Sequence, residues 1–426
     1  MRKTFSYVTA LTAAAFLSMS ASTLVYAQTG WVEENSAWHY YDEEGYMVTD
    51  AWKKLDGKWY YLDSDGEMAR GQKVDDFYVD SNGVMVTNQW VRIAEEFDWE
   101  SPDTPDAYWY YFGEDGKATL DKWLQLDGSW YYFNDEGHMM TGKFTVGEDT
   151  YYTNEDGVMQ KGWVALKEDS SAPAVKEAWY YFDNNGKMIQ NQIDKKIGDA
   201  YYTFKDGKMQ TGWIKVAAEE NTGIDGYQYY DKDGKRAEGW FKTEGIDGIH
   251  AKGQESWFFF KSGKALRSNS GLQILTAAGK RYAFNEKGEM QTGLQWISTG
   301  ENTSARYYFG SDGILKVGKQ SIYNEDLDAT QTWFFHVDGE KKGQGLYGIR
   351  DNNIYLHGLR QDAESSARYA SVEFNGKNYL VNTAGAIQKA SSASKSSAKP
   401  ELGAGHKDFK DNNGATFTVD VNGVVQ

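Results

Sequence analysis

The 426-residue chain has no cysteine and only 4 prolines. Without thiols there is no disulfide framework, no Cys-ligated zinc and no thiolate nucleophile. Proline is near 1% of residues, where about 5% is usual, and this excludes a collagen or a Pro-rich stalk. Positive charge is scarce too: 45 Lys and Arg against 62 Asp and Glu leave a net charge of −17. Such a chain repels phosphate backbones and anionic headgroups, so no nucleic acid is expected as a partner. Solubility alone would account for the acid excess. Beyond residue 27 no apolar run approaches transmembrane length, so no transmembrane segment is expected. The C-terminal stretch Thr416 to Gln426 also lacks a hydrophobic anchor with a basic tail.

What the chain has in excess is glycine and aromatic rings: 45 Gly, 16 Trp, 30 Tyr and 20 Phe. That much ring surface argues against intrinsic disorder. Residues 1–27 read as a signal peptide: Arg2 and Lys3 are followed by the largely apolar Tyr7 to Leu17 and by small residues around Ala27. Cleavage there would take the net charge from −17 to −19. It would also predict a secreted protein whose stability outside the cell rests on packing alone.

The segment from Trp31 to Met47 repeats from Trp52 to Met68 with every landmark in place, and the unit recurs along the chain. Its glycine falls at 45, 66, 83, 116, 137, 157, 186, 207, 234, 263, 288, 313, 339 and 385, with a terminal copy at Gly423. A period in the twenties indicates stacked supersecondary units, none of which can bury its own face alone. The expected unit is a β-hairpin: an aromatic strand such as Trp59 to Leu62, a polar turn Asp63 to Gly66, and a short return through Met68. Strand alternation puts Trp59 and Tyr61 on one face and Tyr60 and Leu62 on the other. Met47, Met68, Met85, Met139, Met159, Met188, Met209 and Met290 all lie two residues after a turn glycine, which predicts a packed hairpin interface. The gap between paired tryptophans is seven positions at Trp31–Trp38, Trp52–Trp59 and Trp123–Trp130 but grows at Trp90–Trp109 and Trp163–Trp179. These insertions hold Pro102, Pro105 and Pro173, and Pro400 follows a Ser/Ala/Lys-rich stretch, so every proline lies outside a hairpin body.

Candidate chemistry is mostly absent. The histidines His39, His138, His250, His336, His357 and His406 have no metal-ligand spacing. No metal or cofactor is expected. Asp63-Ser-Asp-Gly66 and Asp231-Lys-Asp-Gly234 resemble pieces of a calcium loop but read as turn formers. No segment outside the repeats is long enough for a catalytic domain, so no enzyme is expected. The aromatic rings either pack or form boxes that attract a flat sugar or a quaternary ammonium.

The run Trp52-Lys-Lys-Leu-Asp-Gly-Lys-Trp-Tyr-Tyr-Leu-Asp-Ser-Asp-Gly-Glu-Met-Ala-Arg-Gly71 resembles the choline-binding, or cell-wall-binding, repeat of Gram-positive surface proteins. The resemblance spans about residues 30 to 390 and shades into glucan-binding repeats and the repetitive tails of clostridial toxins. It implies an all-β chain, a β-solenoid of stacked hairpin repeats of about 20 residues, with choline held between successive hairpins. Carried over residue by residue, the ligand cages are Trp31, Trp38 and Tyr61; Trp52, Trp59 and Tyr78; Trp90, Trp109 and Tyr132; Trp123, Trp130 and Tyr152; and Trp163, Trp179 and Tyr202. Repeats beginning at Gly71, Gly142 and Asn191 lack both tryptophans. Trp213 is followed by Tyr227 and Phe259, Trp240 and Trp257 meet Ala283, and Arg306 replaces a strand tryptophan.

The organisation expected is a signal peptide at 1–27, intact cell-wall-binding repeats at 28–212, degenerate repeats at 213–389, a Ser/Ala/Lys-rich linker at 390–400 and a hairpin-like cap at 401–426. The function expected is noncatalytic, noncovalent attachment to choline of teichoic-type polymers. An adhesin that binds carbohydrate, a glucan or a host glycan, is the second reading, and cell-wall carbohydrate is the alternative partner to choline. The oligomeric state is left open.

Overall fold

The computed structural model describes residues 28–94, 105–167, 177–219 and 222–426. The expected signal peptide, Pro102 and Pro173 lie outside them. Two compact units are present, Met1–Val164 with Tyr181–Met188, and Ala165–Tyr180 with Ile189–Gln426. Both are built from antiparallel hairpins, and the only helical elements among the described residues are two short 3₁₀ turns.

The hairpins form around a different turn from the one expected. Ala51–Leu55 pairs with Lys58–Leu62 in the register Trp52↔Tyr61, Lys53↔Tyr60 and Lys54↔Trp59. Asp56 and Gly57, both at positive φ, make the two-residue connection, whose twist matches that of the flanking strands. The same turn sits at Asp127-Gly128. The return through Met68 is reduced to a single bridge, Leu62↔Met68. The Asp63 to Gly66 turn instead links one hairpin to the next. Asp63 Oδ1 accepts the Asp65 and Glu67 N–H groups at 3.0 and 2.9 Å, and Gly66 N–H donates to the Asp63 carbonyl at 3.0 Å. The carboxylate is thus spent on backbone donors, as a turn former's should be. The repeat glycines close these turns at φ between 68° and 87°, where any other residue would be strained.

Two repeating columns interlock. A Cβ on Gly66 would lie 2.8 Å from Met47 Sδ, and Gly83, Gly116, Gly157 and Gly186 stand in the same relation to Met68, Met85, Met139 and Met159. Each methionine lies on the turn glycine of the next hairpin. Side chain and missing side chain are therefore one contact, and this is why both columns recur. In the second unit Met209 meets Gly234 and Met290 meets Gly313 in the same way.

The core is a third column, at or next to the end of the second strand in most hairpins. In the first unit Leu62, Val79, Phe112, Phe133, Thr153 and Phe182 are fully buried. Thr153 is tolerated there because its hydroxyl donates to the Met140 carbonyl at 2.6 Å. In the second unit Tyr230, Phe260, Phe284, Phe309 and Phe335 continue the pattern.

The stretch expected to be a linker is folded. Ser396 is buried, and Asp408 accepts bonds from the Ser396 hydroxyl, the Ser397 and Ala398 N–H groups and the Thr418 hydroxyl. A linker reading follows from composition, but here the small polar residues are bonded to one carboxylate. The terminal hairpin pairs Lys407–Lys410 with Thr416–Val419. No helix among the described residues is long and apolar enough to cross a membrane.

Candidate functional site

In an antiparallel pair, directly opposed residues share a face. The register therefore puts Trp52, Lys54, Trp59 and Tyr61 on one side of their hairpin, with Tyr60 and Leu62 on the other. Leu62 and Tyr60 are buried, whereas Trp59 is 39% exposed. Trp130 and Trp257, at the same position of their hairpins, are 37% and 43% exposed. These hairpins thus turn a covered back to one neighbour and a front bearing two tryptophans to the other.

The ring that a front tryptophan meets on the back of the next hairpin lies one residue before the ring named from the resemblance. Trp31 meets Tyr60 at 5.4 Å between ring centroids, Trp52 meets Phe77 at 5.2 Å, Trp90 meets Tyr131 at 5.0 Å and Trp123 meets Tyr151 at 4.9 Å. The expected rings pack elsewhere. Tyr61 lies against Trp52 of its own hairpin, and Tyr78 and Tyr152 lie against the buried Phe112 and Phe182. Tyr132 packs on Trp123 and donates its hydroxyl to Asp121 at 2.6 Å. Burial and that bond push its phenol up to about 12. The correction has a simple origin: a shift of one residue along a strand moves a side chain to the opposite face. Trp163 belongs to the first unit, and Trp179 and Tyr202 to the second.

The same shift of one residue appears in the second half. Trp240 meets Tyr282, not Ala283, at 4.6 Å, and Trp257 at 6.5 Å and 79°. Trp90 and Trp109 stand at 6.5 Å and 88°, so the two boxes nearly share a geometry. Ring contacts of this geometry therefore occur on both sides of residue 212. Sequence reasoning missed Tyr60, Phe77, Tyr131, Tyr151 and Tyr282, although each directly follows the strand position that holds tryptophan in the intact repeats.

Two related places are filled by the chain itself. His250 lies over Trp213, with centroids 6.2 Å apart. Its Nδ1 accepts the Ile246 N–H at 2.8 Å, so the ring proton is on Nε2, 2.8 Å from the Lys287 carbonyl. Arg306 sets its guanidinium 5.3 Å from the Trp296 ring and 5.6 Å from Trp333. Desolvation holds that guanidinium's pKa below its ordinary value. A cation between tryptophan rings is thus already present in this structure, supplied by a side chain.

One backbone bond links successive hairpins independently of the strand side chain. The N–H two residues after each turn glycine donates to the strand-tryptophan carbonyl of the hairpin before: Met68 to Trp38, Met85 to Trp59, Met139 to Trp109 and Met159 to Trp130, at 2.7–2.8 Å. The same bond forms where that residue is Asp76, Thr150, Tyr201, Arg281 or Arg306, at 2.7–2.9 Å. Hairpins dock through the carbonyl, whatever side chain it carries. That bond does not require a tryptophan ring at the strand position.

These features define a hairpin-repeat protein with aromatic rings presented on a repeated face. Residues 28–72, 52–90 and 120–156 match the model of the choline-binding repeat, and 175–188 match that of a putative cell wall binding repeat. Within those stretches the sequence is that of choline-binding and cell-wall-binding repeats. Among solved structures it is similar to the modular autolysin LytC from Streptococcus pneumoniae, at 21% identity over 62% of this chain and 52% of that one, with a TM-score of 0.38. The choline-binding domain of CbpL from the same organism matches at 26% identity over 50% of this chain and 98% of that one, TM-score 0.34. CbpJ, also pneumococcal, matches at 20% over 74% and 99%, TM-score 0.36. The chain spans about half the length of the autolysin it matches. No curated protein matches it.

Proposed function

We propose that the protein is a noncatalytic, exported cell-wall-binding protein that holds choline-bearing envelope polymers noncovalently, through aromatic boxes between the successive hairpins of a β-solenoid. The boxes are Trp31, Trp38 and Tyr60; Trp52, Trp59 and Phe77; Trp90, Trp109 and Tyr131; Trp123, Trp130 and Tyr151; and Trp240, Trp257 and Tyr282. The observation that carries the reading is that hairpins dock through a carbonyl indifferent to its side chain, while tryptophans at that place stay partly exposed.

The chemistry of a trimethylammonium group suits such a box. It is a large, weakly hydrated cation without hydrogen-bond donors, and ring faces attract it by roughly 0.5–2 kcal/mol each. Lys54 Nζ already rests 5.5 Å from the Trp59 ring centroid, so that ring accepts a cation. The net charge of −17 supplies a field of the right sign for cation capture. Because each box joins two hairpins, a ligand in it favours the stacked state by mass action. The test is retention of the full chain on an amine-bearing matrix and its release by free choline. Release by a glucan and not by choline would transfer the reading to a carbohydrate adhesin.

A further inference from the structure

A cleft of about 350 Å³ in the second unit is lined by Gln273, Ile274, Leu275, Arg281, Ile297, Ser298, Thr299, Tyr307 and Gln344. Its place in the repeat is informative. In the hairpin of Gln273–Ala277 and Lys280–Phe284, Ile274 pairs with Ala283 as Trp52 pairs with Tyr61, and Thr276 pairs with Arg281 as Lys54 pairs with Trp59. Arg281 therefore stands at the strand-tryptophan position, and its carbonyl accepts the docking bond from Leu315 N–H at 2.9 Å. Tyr307 is buried and comes from the next hairpin, where the third ring of a box would be. The cleft is an aromatic box in which Ile274 and Arg281 have replaced the two tryptophans.

That replacement inverts the ligand's sign. A guanidinium repels a quaternary ammonium and binds oxyanions through its fixed fork of N–H donors. None of the nine lining residues is acidic, in a chain with 62 Asp and Glu. Among the described residues no carboxylate is ion-paired with Arg281, which is exposed. The two glutamines, Ser298 and Thr299 add amide and hydroxyl groups suited to a polyhydroxylated ring, and Ile274 and Ile297 provide an apolar floor. The volume accommodates one sugar unit.

We propose that this cleft is a second kind of binding site, for a sugar unit carrying an oxyanion, phosphate or carboxylate. It does not depend on the choline reading, because its ligand and its residues are different. The test titrates the full chain with glucose 6-phosphate, glucuronate and glucose. At least one anionic sugar should bind about 10-fold or more tightly than glucose, as charge-assisted hydrogen bonds to one guanidinium would give, and the better of the two identifies the oxyanion. Arg281→Gln should remove that preference, Arg281→Lys should keep part of it, and both should melt with wild type and titrate with choline unchanged. Equal binding of all three sugars, no binding of either anion, or an anion preference that survives Arg281→Gln would overturn the proposal.

Discussion

Replacing Trp59 with alanine separates ligand binding from stacking more cleanly than any other change. The carbonyl that accepts Met85 N–H at 2.8 Å belongs to the backbone and stays, and Asp76 and Thr150 show the bond forming without a ring. The cost in stability is bounded. Trp59 is 39% exposed, so roughly 150 Å² of it is covered, which at ~25 cal/mol per Å² gives at most about 4 kcal/mol. The cost in binding is one ring of three, roughly 0.5–2 kcal/mol, or about 2- to 30-fold in affinity at that box. Calorimetric titration well below the variant's melting midpoint should show one weakened site, with the boxes of Trp31, Trp90, Trp123 and Trp240 unchanged. A choline isotherm identical to wild type, with the circular dichroism spectrum intact, would refute the box and leave Trp59 a packing residue.

Tyr151→Ala should weaken one choline site while Tyr152→Phe leaves all of them unchanged; the reverse result would return the third ring to the position first expected. Trp257→Ala should remove one site from the second half of the chain, detectable as a drop in stoichiometry on titration. Arg306→Ala vacates the place between Trp296 and Trp333, so choline should raise that variant's melting midpoint by more than it raises the wild type's; an equal rise would mean the vacated rings hold no cation. At the C-terminus the bond from Ser396 and those from the Ala398, Thr418 and Ser397 groups lower the Asp408 pKa to about 2. A depressed carboxyl contributes stability that is complete above its unfolded value near 3.9 and is lost as pH falls through about 2. The Ser397 and Ala398 amides should therefore lose exchange protection across that window, and Asp408→Asn should lower their protection at neutral pH and abolish the acid step.

Much of this protein was legible in its residues because repetition amplifies weak local signals. A single methionine two places after a glycine means little, but eight of them predict an interface, and for seven of the eight the structure shows methionine against glycine. The face assignment of Trp59, Tyr60, Tyr61 and Leu62 followed from strand alternation and holds. The hairpin's own turn was misplaced because two glycine turns compete in each repeat. Asp56-Gly57 closes the five-residue pairing, and Asp63 to Gly66 only leads to the next unit. Asp-Gly between two strand-forming runs was the available signal.

The amino-acid order by itself determined the repeat, the all-β hairpin unit, the choline-binding resemblance and the alternation that sends Leu62 inward and Trp59 outward. These depend on period and on local backbone geometry, which neighbours along the chain settle. Which rings meet was decided only by the tertiary structure. A hairpin's front touches the next hairpin's back, so Trp31 meets Tyr60, and Trp240 meets Tyr282 where alignment offered Ala283. The same stacking lets His250 and Arg306 occupy aromatic places and brings Arg281 and Tyr307 to one cleft. Contacts across repeats depend on the rotation and offset between units, a property of packing that no single repeat's sequence contains.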